Sequence, residues 1–99
     1  MDDAASVLAP DNVSALRELA SKFGVRNLRV FGSRARGQAG PGSDLDLLVD
    51  VDYGRGVAMR LVRFSREAQA LLGVRVDLVT ADGLDKVLHE GIFREARPL

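Results

Sequence analysis

A chain of 99 residues has room for one domain, and 46% hydrophobic with 28% charged residues at zero net charge is a globular composition. The neutral balance argues against a constitutive nucleic-acid binder, the absence of cysteine excludes disulfides and thiol chemistry, and a lone histidine, His89, cannot build a His-rich metal site. No apolar run approaches membrane-spanning length and Met1-Asp2-Asp3 is acidic, so a cytoplasmic location with no membrane partner is expected.

Residues 1–10 read as a flexible lead-in and 11–99 as the single domain. Asp11 or Asn12, after Pro10, is the expected helix cap, and Val13, Leu16, Leu19, Ala20 and Phe23 recur at helical spacing up to Gly24. Residues 25–31 form a first expected strand, with Leu28 and Val30 apolar between Asn27 and Arg29. A turn at Gly32-Ser33 then opens a short helix through Arg34, Ala35 and Arg36. Gly37, Gly40, Pro41 and Gly42 make the following stretch a loop, closed by Ser43.

The second strand, 45–52, carries an unusual load. Leu45, Leu47, Val49 and Val51 alternate with Asp44, Asp46, Leu48 and Asp50, so one face is apolar and the other presents neighbouring carboxylates. Asp44 and Asp46 attach roughly 7 Å apart, and at an effective dielectric of about 20 their charges repel by roughly 2 kcal/mol. Asp50 and Asp52 read as strand-end and turn residues.

Tyr53-Gly54-Arg55-Gly56 is a turn, with Tyr53 read as a turn residue. Helix 57–72 follows, its buried stripe being Val57, Leu61, Phe64, Ala68, Leu71 and Leu72. Arg60, Arg63, Arg66 and Glu67 lie on the solvated side, and Gly73 ends the helix. Residues 74–80 are the third strand, with Asp77 on the face opposite its apolar strip; beside the second strand, Asp77 would come close to Asp44 and Asp46. Pairing of Asp77 with Arg75 is the competing expectation. A last helix is expected over 84–96, interrupted near Glu90-Gly91, with Val87, Leu88, Ile92 and Phe93 apolar. Arg97-Pro98-Leu99 reads as a frayed end or docking tail. The fold class expected is α/β (α+β): a small mixed sheet of three or more strands with helices packed on one face.

Two same-facing carboxylates on a strand call for a cation, and all-oxygen ligands favour magnesium or manganese over zinc. Magnesium held by one or two carboxylates completes its shell with water and substrate phosphates. Gly32-Ser33, between strand and helix, can bring backbone N–H groups and a hydroxyl to such a phosphate. There is no Gly-Lys-Ser/Thr for a P-loop, and GSRARG lacks the glycine spacing of the dinucleotide fingerprint.

On GSRARG and SDLDLLVD, with Gly32, Ser33, Asp44 and Asp46 as matching residues, the chain resembles the nucleotidyltransferase superfamily that includes DNA polymerase beta. It is most similar to the minimal nucleotidyltransferases, or MNT proteins, of bacteria and archaea. The resemblance implies a polymerase-beta-like fold and nucleotidyl transfer. Asp44, Asp46 and, matching the family's third carboxylate, Asp77 would be catalytic and metal-binding. ATP would be the substrate, with Mg2+ (two ions) or Mn2+ as metal. Gly32 and Ser33 would take the outer phosphates, Arg36 or Arg34 would neutralise their charge, and Ser43 would position the acids or touch a phosphate. MNT proteins are commonly paired with a HEPN protein, a helical ribonuclease toxin. The implied activity is transfer of AMP to a toxin tyrosine, within a hetero-oligomer, by the antitoxin. Neutralisation by occlusion without catalysis, and nucleotidylation of a small molecule, are the alternatives.

Overall fold

The apolar alternation at residues 45–51 sets the centre of the molecule. Leu45, Leu47, Val49 and Val51 are all buried along one side of strand β2 (Leu45–Val51). The computed structural model describes residues 6–83 and 89–99. Its strands are β1 (Val25–Phe31), β2, β3 (Val76–Thr80) and β4 (Arg97–Pro98), in the sheet order β3-β2-β1-β4. Helix α1 (Pro10–Lys22) leads into β1, α2 (Val57–Leu72) joins β2 to β3, and α3 (Glu90–Glu95) leads into β4.

β2 runs antiparallel to β1 and parallel to β3, and β1 runs antiparallel to β4. A parallel neighbour needs a long crossover, and α2 supplies it. The mixed α+β expectation is borne out. Leu16 and Ala20 of α1 and Phe64 and Ala68 of α2 join the same buried cluster as the β2 strip, so both helices cover one sheet face. The Phe23 and Phe64 rings meet at 6.5 Å between centroids. Leu48, on the carboxylate side of β2, is also fully buried.

β1 contains a bulge. Arg26 faces Asp50, yet Arg29 faces Leu48, so β1 carries one residue more than β2 across this span. Asn27 absorbs the extra residue at φ 54, a left-handed conformation asparagine tolerates. Its effect is visible in the core: Val25 and Leu28, three apart, both face the helices, where strict alternation would separate them. Asn27 Nδ2 and Arg29 Nη2 donate to Asp50 at 3.0 and 2.9 Å, tying the bulge to β2.

Several expectations are corrected. Neither Asp11 nor Asn12 caps α1; the helix starts at Pro10, whose fixed φ suits the first helical position, and Ala9 is the cap residue. Asn12 Nδ2 instead donates to the Val7 carbonyl at 3.2 Å. Of the lead-in, Ser6–Leu8 form a 3-10 turn with Val7 buried, and residues 1–5 lie outside the described residues. Leu71 is 42% exposed, lining the outer cleft between α1 and α2, while Leu72 packs on the core. Arg60 is no mere surface charge: Nη1 donates to the Phe23 carbonyl at 2.8 Å and Nη2 to that of Asp52, fastening α2 to both strand ends. β3 starts at Val76, whose N–H donates to Gln69 Oε1 and whose carbonyl accepts from Ser65 Oγ, so α2 side chains take over at that end. Of the last expected helix, α3 keeps Ile92 and Phe93, whereas Leu84, Val87 and Leu88 lie outside the described residues. The expected frayed end is strand β4, paired with Arg29 and Val30, and the Leu99 N–H donates to the Leu28 carbonyl at 3.1 Å.

Candidate active site

The parallel register of β2 and β3 places Asp46 beside Asp77 as direct partners. Side chains at partnered positions of neighbouring strands share a face, so the two carboxyls meet, with Asp44 one residue before β2. The Asp46 carboxyl is held above the usual aspartate range by burial first, then by the charges of Asp77 and Asp44 and by a hydrogen bond with Asp77. Arg36 pulls weakly the other way.

Arg75 lies against the outer acids. Its Nε is 3.9 Å from Asp44 Oδ2 and its Nη2 3.6 Å from Asp77 Oδ1, both contacts being solvent-exposed. The competing expectation of an Arg75–Asp77 pair is therefore realised together with the clustering of the acids. A positive group already sits where the carboxylates need one. The donor set suits magnesium, because it is oxygen throughout. Among the described residues no three ligands close into an ion cage; a magnesium that shares its shell with water and phosphate needs only one or two carboxylates.

Above the acids lies the Gly32–Arg34 turn. Phe31 pairs with Asp46, which brings the next residue over the Asp46 carboxyl. Gly32 has φ +77, and a Cβ there would overlap Asp46 Oδ2, so glycine is required on both counts. The turn is closed by Arg36 N–H to the Gly32 carbonyl and Gln38 N–H to that of Ser33, at 3.1 and 2.9 Å.

Arg34 and Arg36 part company. Arg34 Nη2 donates to the Ser43 carbonyl at 2.6 Å and reaches the Pro41 and Gly40 carbonyls, pinning the loop across the turn. Ser43 Oγ accepts from the Gly40 N–H at 2.9 Å, so Ser43 shapes the loop just ahead of Asp44. Arg36 holds Gln38 Oε1 through Nε at 2.9 Å and Glu95 Oε2 through Nη1 at 2.8 Å. The other oxygen, Glu95 Oε1, accepts the Gly32 N–H at 2.5 Å. Arg36 and the Gly32 N–H together hold the Glu95 carboxyl below the usual glutamate range.

The structure thus brings together Gly32, Asp44, Asp46, Asp77 and Arg36, with Ser33 in the same turn and Ser43 on the adjoining loop. Asp50 and Asp52 stand apart, engaged by Arg29 and Arg26 of β1. Glu95 and the bridging position of Arg75 escaped the sequence reading. Arg75, two residues from Asp77, offers in sequence only a pairing partner for it; Glu95 carries no local signal, since its place depends on the return of β4 to β1.

Residues 14–99 match a family model described as a nucleotidyltransferase domain. The chain is similar to the protein adenylyltransferase MntA of Thermococcus cleftensis, with 39% identity over 79 residues, 80% of this chain and 79% of the relative. A solved structure described as a minimal nucleotidyltransferase aligns over 100% of this chain and 97% of its own, at 41% identity and a TM-score of 0.82. A toxin–antitoxin structure with AMP-PNP aligns over 88% of this chain and 71% of its own, at 20% identity and a TM-score of 0.71, a likeness of fold.

Proposed function

The chain belongs to the nucleotidyltransferase domain family, and on that premise we propose that it transfers AMP from ATP to a hydroxyl of a partner protein, as the antitoxin of a toxin–antitoxin pair. The acceptor in this reading is a tyrosine of a HEPN-type toxin. The observation that carries the chemistry is the partnering of Asp46 with Asp77 beneath the Gly32 turn. The choice of a protein acceptor is supported by the name of the MntA relative, and the toxin pairing by the toxin–antitoxin neighbour of the same fold.

Each residue then has a task. The Gly32-Ser33 turn receives the outer phosphates of ATP through the Ser33 N–H and hydroxyl, the Gly32 N–H being held by Glu95. Asp44, Asp46 and Asp77 would hold magnesium, which would lower the acceptor hydroxyl's pKa and offset charge on the leaving group. The acceptor oxygen bonds to the α-phosphorus as the bond to the bridging oxygen breaks. Pyrophosphate departs, and the acceptor's proton passes to a carboxylate, Asp77 in this reading. Arg36 meets charge on the departing pyrophosphate.

The test is to incubate the chain, Mg2+ and α-labelled ATP with its partner toxin. Label is expected on a partner tyrosine, lost with Asp44→Ala and with Asp46→Ala. Full neutralisation of the toxin by the double variant, with no label transferred, would replace transfer by occlusion.

A further inference from the structure

We propose that Glu95 is a positioning residue for nucleotidyl transfer, holding the Gly32 turn and the Arg36 guanidinium in the arrangement that meets the outer phosphates. This rests on the function proposed above, because Gly32 and Arg36 matter only where a triphosphate lands.

The strand ladder puts Glu95 there. β4 pairs Arg97 with Val30 in antiparallel register, and two further residues along each chain bring residue 95 opposite residue 32. One carboxylate then spans two groups: Oε1 takes the Gly32 N–H at 2.5 Å and Oε2 takes Arg36 Nη1 at 2.8 Å. Gly32 is gripped from two sides, since Asp46 leaves no room for a Cβ and Glu95 fixes the N–H. Arg36 has two of its three nitrogens held, Nε by Gln38 and Nη1 by Glu95, which fixes the plane of the fork. A long side chain already immobilised loses less freedom when phosphate arrives.

A carboxylate beside a phosphate site also repels the incoming anion. Arg36 and the Gly32 N–H, at 2.8 and 2.5 Å from its two oxygens, offset the charge of Glu95 itself. The gain in placement outweighs the repulsion because Arg36 carries it: a guanidinium can bond a carboxylate on one edge and a phosphate oxygen on another.

The test is calorimetric titration of the full chain with MgATP. Glu95→Gln keeps an acceptor for Gly32 and removes the ion pair with Arg36; Glu95→Ala removes both. Glu95→Ala is expected to weaken binding about tenfold, with Glu95→Gln in between. In an Arg36→Ala background, Glu95→Gln should add no further loss. Unchanged or tighter binding in both variants would overturn the proposal, making Glu95 a competitor of the phosphates or a bystander. So would an equal loss with and without Arg36, which would disconnect Glu95 from it. If Glu95→Ala fails to fold, the Glu95→Gln cycle alone decides. Failure of the underlying function looks different: the unaltered chain then takes up no MgATP, or binds it equally well as Asp44→Ala/Asp46→Ala, and the role of Glu95 falls with it.

Discussion

Asp46 sits where stability and chemistry oppose each other. Burial and two neighbouring carboxylates raise its folded pKa above the unfolded value. A carboxyl shifted in this direction stabilises the fold fully only below its unfolded pKa, and its contribution is lost as pH rises through the raised folded pKa. Ionising Asp46 is therefore a strain on the metal-free protein. Asp46→Asn should raise the melting temperature by a few degrees in scanning calorimetry without metal, while transfer falls by about 100-fold or more. Glu95 has the opposite sign. Its folded pKa is lowered, so its contribution is full at neutral pH and fades as the solution is acidified through its folded pKa. Glu95→Gln should melt below the unaltered chain at neutral pH, and the gap should close on acidification below the ordinary glutamate range. A gap independent of pH would refute the assignment of that carboxylate's charge to Arg36 and Gly32.

The helices and strands divide into those announced locally and those decided at a distance. α2 is legible in its bounds because Gly56 and Gly73, both at φ 75, bracket an amphipathic run. β1 and the centre of β2 are legible from alternation, and so is the convergence of Asp44, Asp46 and Asp77, given only that β3 lies beside β2. β4 is not legible: two residues with a proline make no strand by pattern, and only the free edge of β1 turns them into one. Glu95 is hidden for the same reason, its partners lying 63 and 59 residues away in sequence. The helix layer depends on few large side chains. Phe64 is fully buried against both α1 and the sheet, so Phe64→Ala should cost about 3–5 kcal/mol. A domain with roughly 5–15 kcal/mol in total would be left near its unfolding limit. Urea titration followed by circular dichroism measures that loss.

For the molecule as a whole, function and folding meet in one sheet whose faces do different work. The helix-covered face supplies most of the buried apolar cluster, and the other bears the carboxylates. Their alignment depends on the two faces staying in phase along β1, and Asn27 is the spacer that sets that phase. Straightening the bulge with the extra residue still in the strand would leave every named site residue present and yet misdirect them. Leu28 and Val30 would rotate away from the helices, and Gly32, about 16 Å further along the strand, would slide off Asp46. Asn27→Val, whose β-branched side chain disfavours the positive φ, should therefore lower the melting temperature and weaken MgATP uptake together, whereas Asn27→Gly, which accepts the same φ, and deletion of residue 27, which restores strict alternation in register, should preserve both. A lesion distant from the reacting atoms would in this way do the damage of one at the centre, by miscounting rather than by losing any chemical group.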